Sequence, residues 1–158
     1  MLKLMYITNS PEVASIADGA GVDRIFIDLE QYGKEKRQKN WDSVKSKHSI
    51  SDIPKVKSAG KNAQIFVRTD PIFDGFSDEL EGVLACEPDV VMLPYFKTVR
   101  EVETFIKAVD GRATTSLLLE TRGAAEQIDD IISVGGIDEI HIGLNALSHS
   151  YGKKFLFE

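Results

Sequence analysis

Apolar residues along the chain fall into two alternating patterns. Runs of about four to eight residues, rich in β-branched and aromatic side chains, are typical of strands buried on both faces, whereas apolar residues spaced three or four apart are typical of helices. The strand-like runs are Leu2–Thr8, Asp23–Leu29, Ala63–Arg68, Asp89–Leu93, Ala113–Glu120 and Glu139–Gly143. The helix-like stretches are Pro11–Ala20, a mixed region Lys34–Ser58, Asp78–Cys86, Val99–Val109 and Ala124–Ser133. This alternation predicts strand–helix units that cross over into a parallel sheet.

Signals at the ends of these segments agree with the alternation. Ser10 followed by Pro11 is typical of a helix N-terminus, and Thr98 with Glu101 three residues later predicts a capping box. Three loops each end a helix and place an acidic residue just before the next strand. These loops are Gly21–Asp23, Cys86–Asp89 and Gly136–Asp138.

The six predicted strands are compatible with two architectures. They can form an open, doubly wound sheet, or they can form three quarters of an eight-stranded (β/α)₈ barrel of the TIM type. The chain of 158 residues is long enough for one domain with a sizeable core. The pattern alone does not choose between the two.

Composition narrows the partners that we expect. The formal charge of −6 argues against nucleic acid or an anionic membrane as the main partner. No run of about 18 apolar residues occurs, so we expect no membrane span. The only cysteine, Cys86, cannot form an internal disulfide, and we interpret it as a small core residue. A reducing cytoplasm fits these features best.

Charged residues end three of the predicted strands. Asp28 and Glu30 end the second strand on the same side, Arg68 ends the third, and Glu120 ends the fifth. Ligands of parallel sheets bind at the carboxyl ends of the strands, so these side chains form a candidate site. Carboxylates suit a divalent metal and an arginine suits a substrate carboxylate. The alternative is a buried ion-pair network without a ligand.

Other polar residues and motifs are weaker candidates for a functional site. His141 lies inside the sixth strand, where we expect a hydrogen-bonded barrel residue, with a catalytic base as the alternative. His48 and His149 lie in predicted loops, and we assign neither a catalytic role. The charged run Lys34–Lys39 is typical of a solvated face. No GxGxxG follows the first strand, which disfavours dinucleotide binding.

Five motifs together resemble a known family, the HpcH/HpaI aldolase and citrate lyase β-subunit family. They occur in the family's order and cover nearly the whole chain. They are Gly21-Val22-Asp23 through Ile27-Asp28-Leu29-Glu30, Val67-Arg68, Val91-Met92-Leu93-Pro94, Leu119-Glu120-Thr121-Arg122, and Gly136-Ile137-Asp138 through Ile142-Gly143-Leu144-Asn145-Ala146-Leu147-Ser148.

The resemblance implies a (β/α)₈ barrel of the phosphoenolpyruvate- and pyruvate-binding type. It implies metal-dependent (class II) cleavage or condensation of a carbon–carbon bond, by aldol or Claisen-type chemistry, in a 2-oxo acid or acyl-CoA through an enolate. Arg68 is then expected to hold the substrate, and Glu120 to ligate Mg²⁺ or Mn²⁺. Asp28 and Glu30 are expected beside the site, holding metal-bound water or orienting neighbours. We expect Gly143, Leu144 and Asn145 to bind substrate.

The chain departs from the family pattern in three places. Ala146 stands where the second metal ligand is usually an aspartate, and Gln31 stands where the usual base is a histidine or an aspartate. The chain also ends where family members continue through two more units. We therefore expect residues 1–158 to form one barrel domain without its last units, as a fragment or a degenerate member, with a weak or lost metal site.

Two interpretations of function remain open, with a third and weaker one. The first is a carbon–carbon lyase, supported by Arg68 and Glu120. The second is a non-catalytic relative kept for ligand binding or assembly, supported by Ala146 and Gln31. The third is an open α/β module that binds a phosphorylated ligand. Because an incomplete barrel leaves two strand edges unpaired, we also expect a homo-oligomer.

Overall fold

A single parallel sheet of six strands organises the chain. The computed structural model describes residues 2–32 and 47–153. The strands are β1 Met5–Ile7, β2 Arg24–Asp28, β3 Gln64–Arg68, β4 Val90–Leu93, β5 Thr114–Leu119 and β6 Glu139–Ile142. They lie in sequential order, and every neighbouring pair is parallel. A doubly wound sheet reverses its strand order, so the sequential order confirms the incomplete barrel and rules out the open alternative.

The described residues form seven helices, of which six lie between strands and the seventh follows β6. They are α1 Pro11–Gly19, α2 Asp52–Ala59, α3 Phe76–Leu84, α4 Val99–Val109, α5 Arg122–Ala125, α6 Ile128–Ile132 and α7 Leu144–Ser150. The predicted N-terminal signals are present, because Ser10 Oγ accepts from the Val13 N–H and Thr98 forms a full capping box with Glu101. These caps fix where α1 and α4 begin.

Three helical regions differ from the sequence prediction. The predicted helix Ala124–Ser133 is two short helices, because Gln127 leaves helical geometry and donates its side-chain amide to the carbonyls of Lys97 and Gly123. The mixed region Lys34–Ser58 supplies α2 near its end, while its residues 34–46, including the charged run, lie outside the described part. Helix α7 was not predicted, because none of its residues is buried and its apolar pattern is weak.

The sheet curls strongly, as barrel closure requires. Arg24 on β2 makes a bidentate ion pair with Glu139 on β6, with the Nη1–Oε2 distance at 2.7 Å. Four strand spacings separate these strands, which would be about 19 Å in a flat sheet. The rings of Phe66 on β3 and His141 on β6 also meet, with centroids 5.6 Å apart. The inner faces of β2, β3 and β6 therefore face one another across the concave side.

Side chains of successive strand residues point to opposite faces of the curled sheet. On the convex face, residues such as Ile27, Val67 and Leu117 pack with the helices into one large core. On the concave face, Phe26 and Phe66 form a smaller apolar cluster with Val90 and Met92. The middle strands are therefore buried on both sides, whereas β1 is exposed along its whole length.

Aspartates at the amino ends of the strands hold neighbouring strands in register. Asp23, before β2, accepts the Leu4 N–H at 2.9 Å, and Asp89, before β4, accepts the Ile65 N–H at 2.7 Å. Asp138, before β6, accepts the Thr115 N–H at 2.8 Å. These are the acidic residues of the three similar loops identified in the sequence. Each of them acts as a strand clamp, an aspartate that binds a backbone N–H of the neighbouring strand.

Candidate functional site

An arginine surrounded by carboxylates lies at the carboxyl ends of β2 and β3. Arg68 donates from Nε and Nη2 to the two oxygens of Asp28, both at 2.9 Å, and its Nη1 lies 3.4 Å from Glu30 Oε2. Strand register causes this pairing, because Asp28 and Arg68 are direct neighbours across the β2–β3 ladder. The guanidinium also packs over the Phe26 ring, 5.5 Å from its centroid.

The electrostatic surroundings keep Arg68 charged. Burial opposes the charge, but the hydrogen bond to Asp28 and the charges of Asp28, Glu30 and Glu120 outweigh it, so the pKa of Arg68 is raised above its usual value. An arginine held in this way is a fixed positive charge at the carboxyl ends of the strands. It suits a carboxylate or an enolate oxygen.

A cavity of about 410 Å³ opens beside this arginine. Arg68 and Glu30 form part of its wall, and Tyr95, Lys97 and Glu120 form another part. This volume lies within the range of small-molecule sites. The sequence-predicted Arg68, Glu30 and Glu120 therefore meet in one cavity, while Asp28 lies behind Arg68 and orients it.

Glu120 is held by the backbone of the loop that follows β4. Its Oε1 accepts the N–H of Tyr95 at 3.0 Å, and Tyr95 has a positive φ of 51°, a conformation that costs energy in a non-glycine residue. Lys97 places its ammonium 5.0 Å from the centroid of the Tyr95 ring. The loop thus brings Lys97 and Tyr95 to the cavity that Glu120 also lines.

Gly143 makes room for Glu120. A Cβ on Gly143 would lie 2.9 Å from Glu120 Cβ and 3.2 Å from its Oε2. At such short distances, one of the two residues would have to move. The structure therefore gives Gly143 a spacing role beside the predicted substrate-binding role.

Helix α7 forms another part of the cavity wall. Ala146, His149 and Ser150 line it, at positions i, i+3 and i+4 of the helix. Leu144 and Asn145, which we predicted to bind substrate, are exposed and do not line this cavity. Their binding role stays a prediction that the geometry of the cavity does not support.

The other polar candidates do not line the cavity. His141, the third of the four residues of β6, contacts Glu139 Oε2 at 3.4 Å, so it is the hydrogen-bonded barrel residue that we expected. His48 is buried, and its Nδ1 accepts the Asp28 N–H at 3.0 Å. Gln31 donates its side-chain amide to the His48 carbonyl at 3.3 Å.

A pair of acidic residues fixes the backbone just after Glu30. Asp70 Oδ1 accepts the N–H groups of Gln31 and Tyr32 at 2.6 and 2.7 Å, and the Asp70 N–H donates to Glu79 Oε1 at 2.8 Å. Burial, together with the nearby charge of Asp70, raises the pKa of Glu79 to about 7. Protonation of Glu79 near neutral pH relieves the repulsion between the two carboxylates.

The donor set fits a divalent cation poorly. Glu30 and Glu120 offer oxygen ligands, but Glu30 pairs with Arg68, and Ala146, which also lines the cavity, has no ligand atom in its side chain. Within residues 2–32 and 47–153, no group of three or more His, Cys, Asp or Glu side chains could hold a metal ion. These residues therefore do not form a tight metal site.

Several residues of the cavity were not among the sequence candidates. Tyr95 and Lys97, on the loop after β4, carried no predicted role. His149 was placed in a loop and given no role. A helix at Leu144–Ser150 would have identified His149, because it puts the histidine one turn after Ala146 on the same face.

Comparison with known proteins gives a consistent answer. The family model described as HpcH/HpaI aldolase/citrate lyase matches residues 3–155. No curated protein sequence matches the chain. Within the part of the chain that the structure describes, no helix is long and apolar enough to cross a membrane.

Solved structures with the same fold include three informative examples. An HpcH/HpaI aldolase/citrate lyase family protein from Burkholderia cenocepacia superposes with a TM-score of 0.77 at 13% identity, covering 99% of this chain and 69% of that one. The citrate synthase SbnG superposes with a TM-score of 0.76 at 17% identity, covering 99% of this chain and 66% of that one. The citrate lyase β subunit of M. tuberculosis, complexed with oxaloacetate and magnesium, superposes with a TM-score of 0.63 at 19% identity, covering 96% of this chain and 61% of that one. The chain spans about two thirds of the length of these proteins.

Proposed function

The chain belongs to the HpcH/HpaI aldolase/citrate lyase family, and we propose that its cavity catalyses cleavage or formation of a carbon–carbon bond in a small 2-oxo acid or acyl-CoA. One observation carries the proposal. Arg68, held as a cation by three carboxylates, and Glu120, held by a strained loop, line the same cavity at the carboxyl ends of the strands.

Arg68 has donors to spare for a substrate. A guanidinium carries five N–H groups, and contacts to Asp28 and Glu30 use three of them. Two N–H groups therefore remain for a carboxylate or for the oxygen that becomes negative when an enolate forms. A fixed donor aimed at a developing charge lowers the barrier more than it lowers the energy of the bound substrate.

The M. tuberculosis neighbour supports a 2-oxo acid as the ligand class, because its structure contains oxaloacetate. That structure also contains magnesium, which as a Lewis acid neutralises an oxyanion. For this chain we propose weak binding of Mg²⁺ or Mn²⁺, since Ala146 offers no ligand atom. We expect slow turnover for the same reason.

The second candidate function is a non-catalytic binding module. It is favoured by Ala146 in the cavity wall and by Gln31, whose side chain is engaged with the His48 carbonyl instead of the cavity. This protein would bind the same 2-oxo acid through Arg68 and release no product. Binding alone therefore does not separate the two functions, whereas turnover does.

The experiment is a coupled assay for pyruvate released from 4-hydroxy-2-oxo acids, with Mg²⁺ present. Wild type should release pyruvate slowly but above the buffer rate, and Arg68→Lys should lose at least about tenfold, because a point charge replaces the forked donor. Arg112→Lys is the matched control, since Arg112 pairs with Glu81 on the surface, and it should retain the wild-type rate. No release by wild type, together with pyruvate binding, would favour the binding module.

A further inference from the structure

We propose that His149 is the proton-transfer residue of the cavity, a role that rests on the carbon–carbon lyase function proposed above. His149 lies on α7 and lines the same cavity as Arg68 and Glu120. Helical spacing places it one turn after Ala146 on one face, with Ser150 beside it. The imidazole therefore borders the space in which a substrate bound to Arg68 reacts.

The remaining titratable side chains of the cavity are less suited to moving protons. Glu30 forms an ion pair with an arginine, and Glu120 accepts the N–H of Tyr95. The Lys97 ammonium lies over the Tyr95 ring, 5.0 Å from its centroid, so these two side chains are engaged with each other. A neutral imidazole has one ring nitrogen that accepts a proton and one that donates, so it can both take and return a proton.

Residues outside the cavity cannot take this role in the observed arrangement. Gln31 has no basic atom and its amide is engaged with a backbone carbonyl. His48 is buried with its Nδ1 accepting the Asp28 N–H, and the His141 ring contacts Glu139 and does not line the cavity. Of the three histidines, all within the described residues, only His149 lines the cavity.

The proposed step balances without any further reactant. With a 4-hydroxy-2-oxo acid held by Arg68, a ring nitrogen of His149 takes the proton of the C4 hydroxyl. The C3–C4 bond breaks, its electron pair forms the C2–C3 double bond of the enolate, and an aldehyde leaves. The C2 oxygen carries the negative charge beside Arg68. The imidazolium then returns its proton to C3, which yields pyruvate and restores the neutral ring.

The test uses the reverse half of this chemistry, the removal of a C3 proton from pyruvate. Methyl exchange in D₂O is followed by proton NMR with Mg²⁺ present, for wild type, His149→Gln and His149→Ala. The expected loss of exchange is about 10²-fold in both variants, the low end for a lost general base. Added imidazole should restore part of the rate to His149→Ala, which a purely structural role does not predict. His141→Gln is the matched control and should exchange at the wild-type rate.

One further measurement separates the possible failures. Calorimetry should give the same pyruvate affinity for His149→Gln and wild type, because Arg68 is intact. Undiminished exchange in His149→Gln overturns the role of His149 alone. Absence of exchange in wild type that nevertheless binds pyruvate overturns the proposed lyase function and the role of His149 together.

Discussion

Replacing Gly143 by alanine tests whether Glu120 is packed against α7 as the structure has it. The new Cβ would lie 2.9 Å from Glu120 Cβ and 3.5 Å from Leu118 Cδ1, whereas ordinary contacts of this kind begin near 3.4 Å. Relief needs a shift of about 0.5 Å, and overpacking of this kind costs roughly 1–3 kcal/mol. The backbone is not strained, since φ at Gly143 is −84°.

The matched control is Gly19→Ala, at the end of α1. A Cβ there meets nothing within 4 Å, so alanine should raise the free energy of unfolding by about 0.5–1 kcal/mol through the lost flexibility of glycine. Gly143→Ala should instead lower the free energy of unfolding by about 1–2 kcal/mol, because the cost of overpacking exceeds the same entropic gain. Urea unfolding followed by circular dichroism measures both. Equal or greater stability of Gly143→Ala would mean that Glu120 does not occupy the position described.

Three other predictions concern charge, metal and assembly. The pKa of Glu79 in the folded state, about 7, exceeds its ordinary 4.5, so the folded state binds the proton more tightly and stability should fall as pH rises from about 4.5 to about 7. Urea unfolding at pH 5 and 7.5 should show this loss in wild type but not in Glu79→Gln, and an equal loss in both would refute the assignment. Ala146→Asp should bind Mg²⁺ more tightly than wild type in calorimetry, because it adds a carboxylate to the cavity wall. No difference would mean that position 146 does not face the ligand position. We also propose that the protein forms a homo-oligomer, since the edge strands β1 and β6 expose apolar side chains. Light scattering that gives the mass of a monomer at every protein concentration tested would contradict this proposal.

The part of the site at the strand ends was predictable because it follows from short-range rules. Buried parallel strands end at the same edge of a sheet, so Asp28, Arg68 and Glu120 had to approach one another once the strands were identified. The strand clamps were visible for the same reason, as acidic residues placed just before buried runs. Each of these features needs only the order and direction of the strands.

The parts that sequence could not supply depend on curvature or on weak local patterns. The ion pair of Arg24 with Glu139 joins residues 115 positions apart and exists only because the sheet curls. Helix α7 buries none of its residues, so its sequence shows no apolar periodicity that would predict a helix. Because the helix was not predicted, His149 was not recognised as a residue of the cavity. The break between α5 and α6 depends on hydrogen bonds of Gln127 to two carbonyls, which no propensity encodes.

The central claim, that the cavity beside Arg68 binds a 2-oxo acid, is tested most directly by calorimetric titration with pyruvate. Wild type should bind one pyruvate per chain, and Arg68→Lys, shown by circular dichroism to be folded, should bind at least about tenfold more weakly because one charge-assisted hydrogen bond is lost. Arg112→Lys should bind as wild type does. The same pyruvate affinity in Arg68→Lys and wild type, or no binding by wild type, would contradict the account.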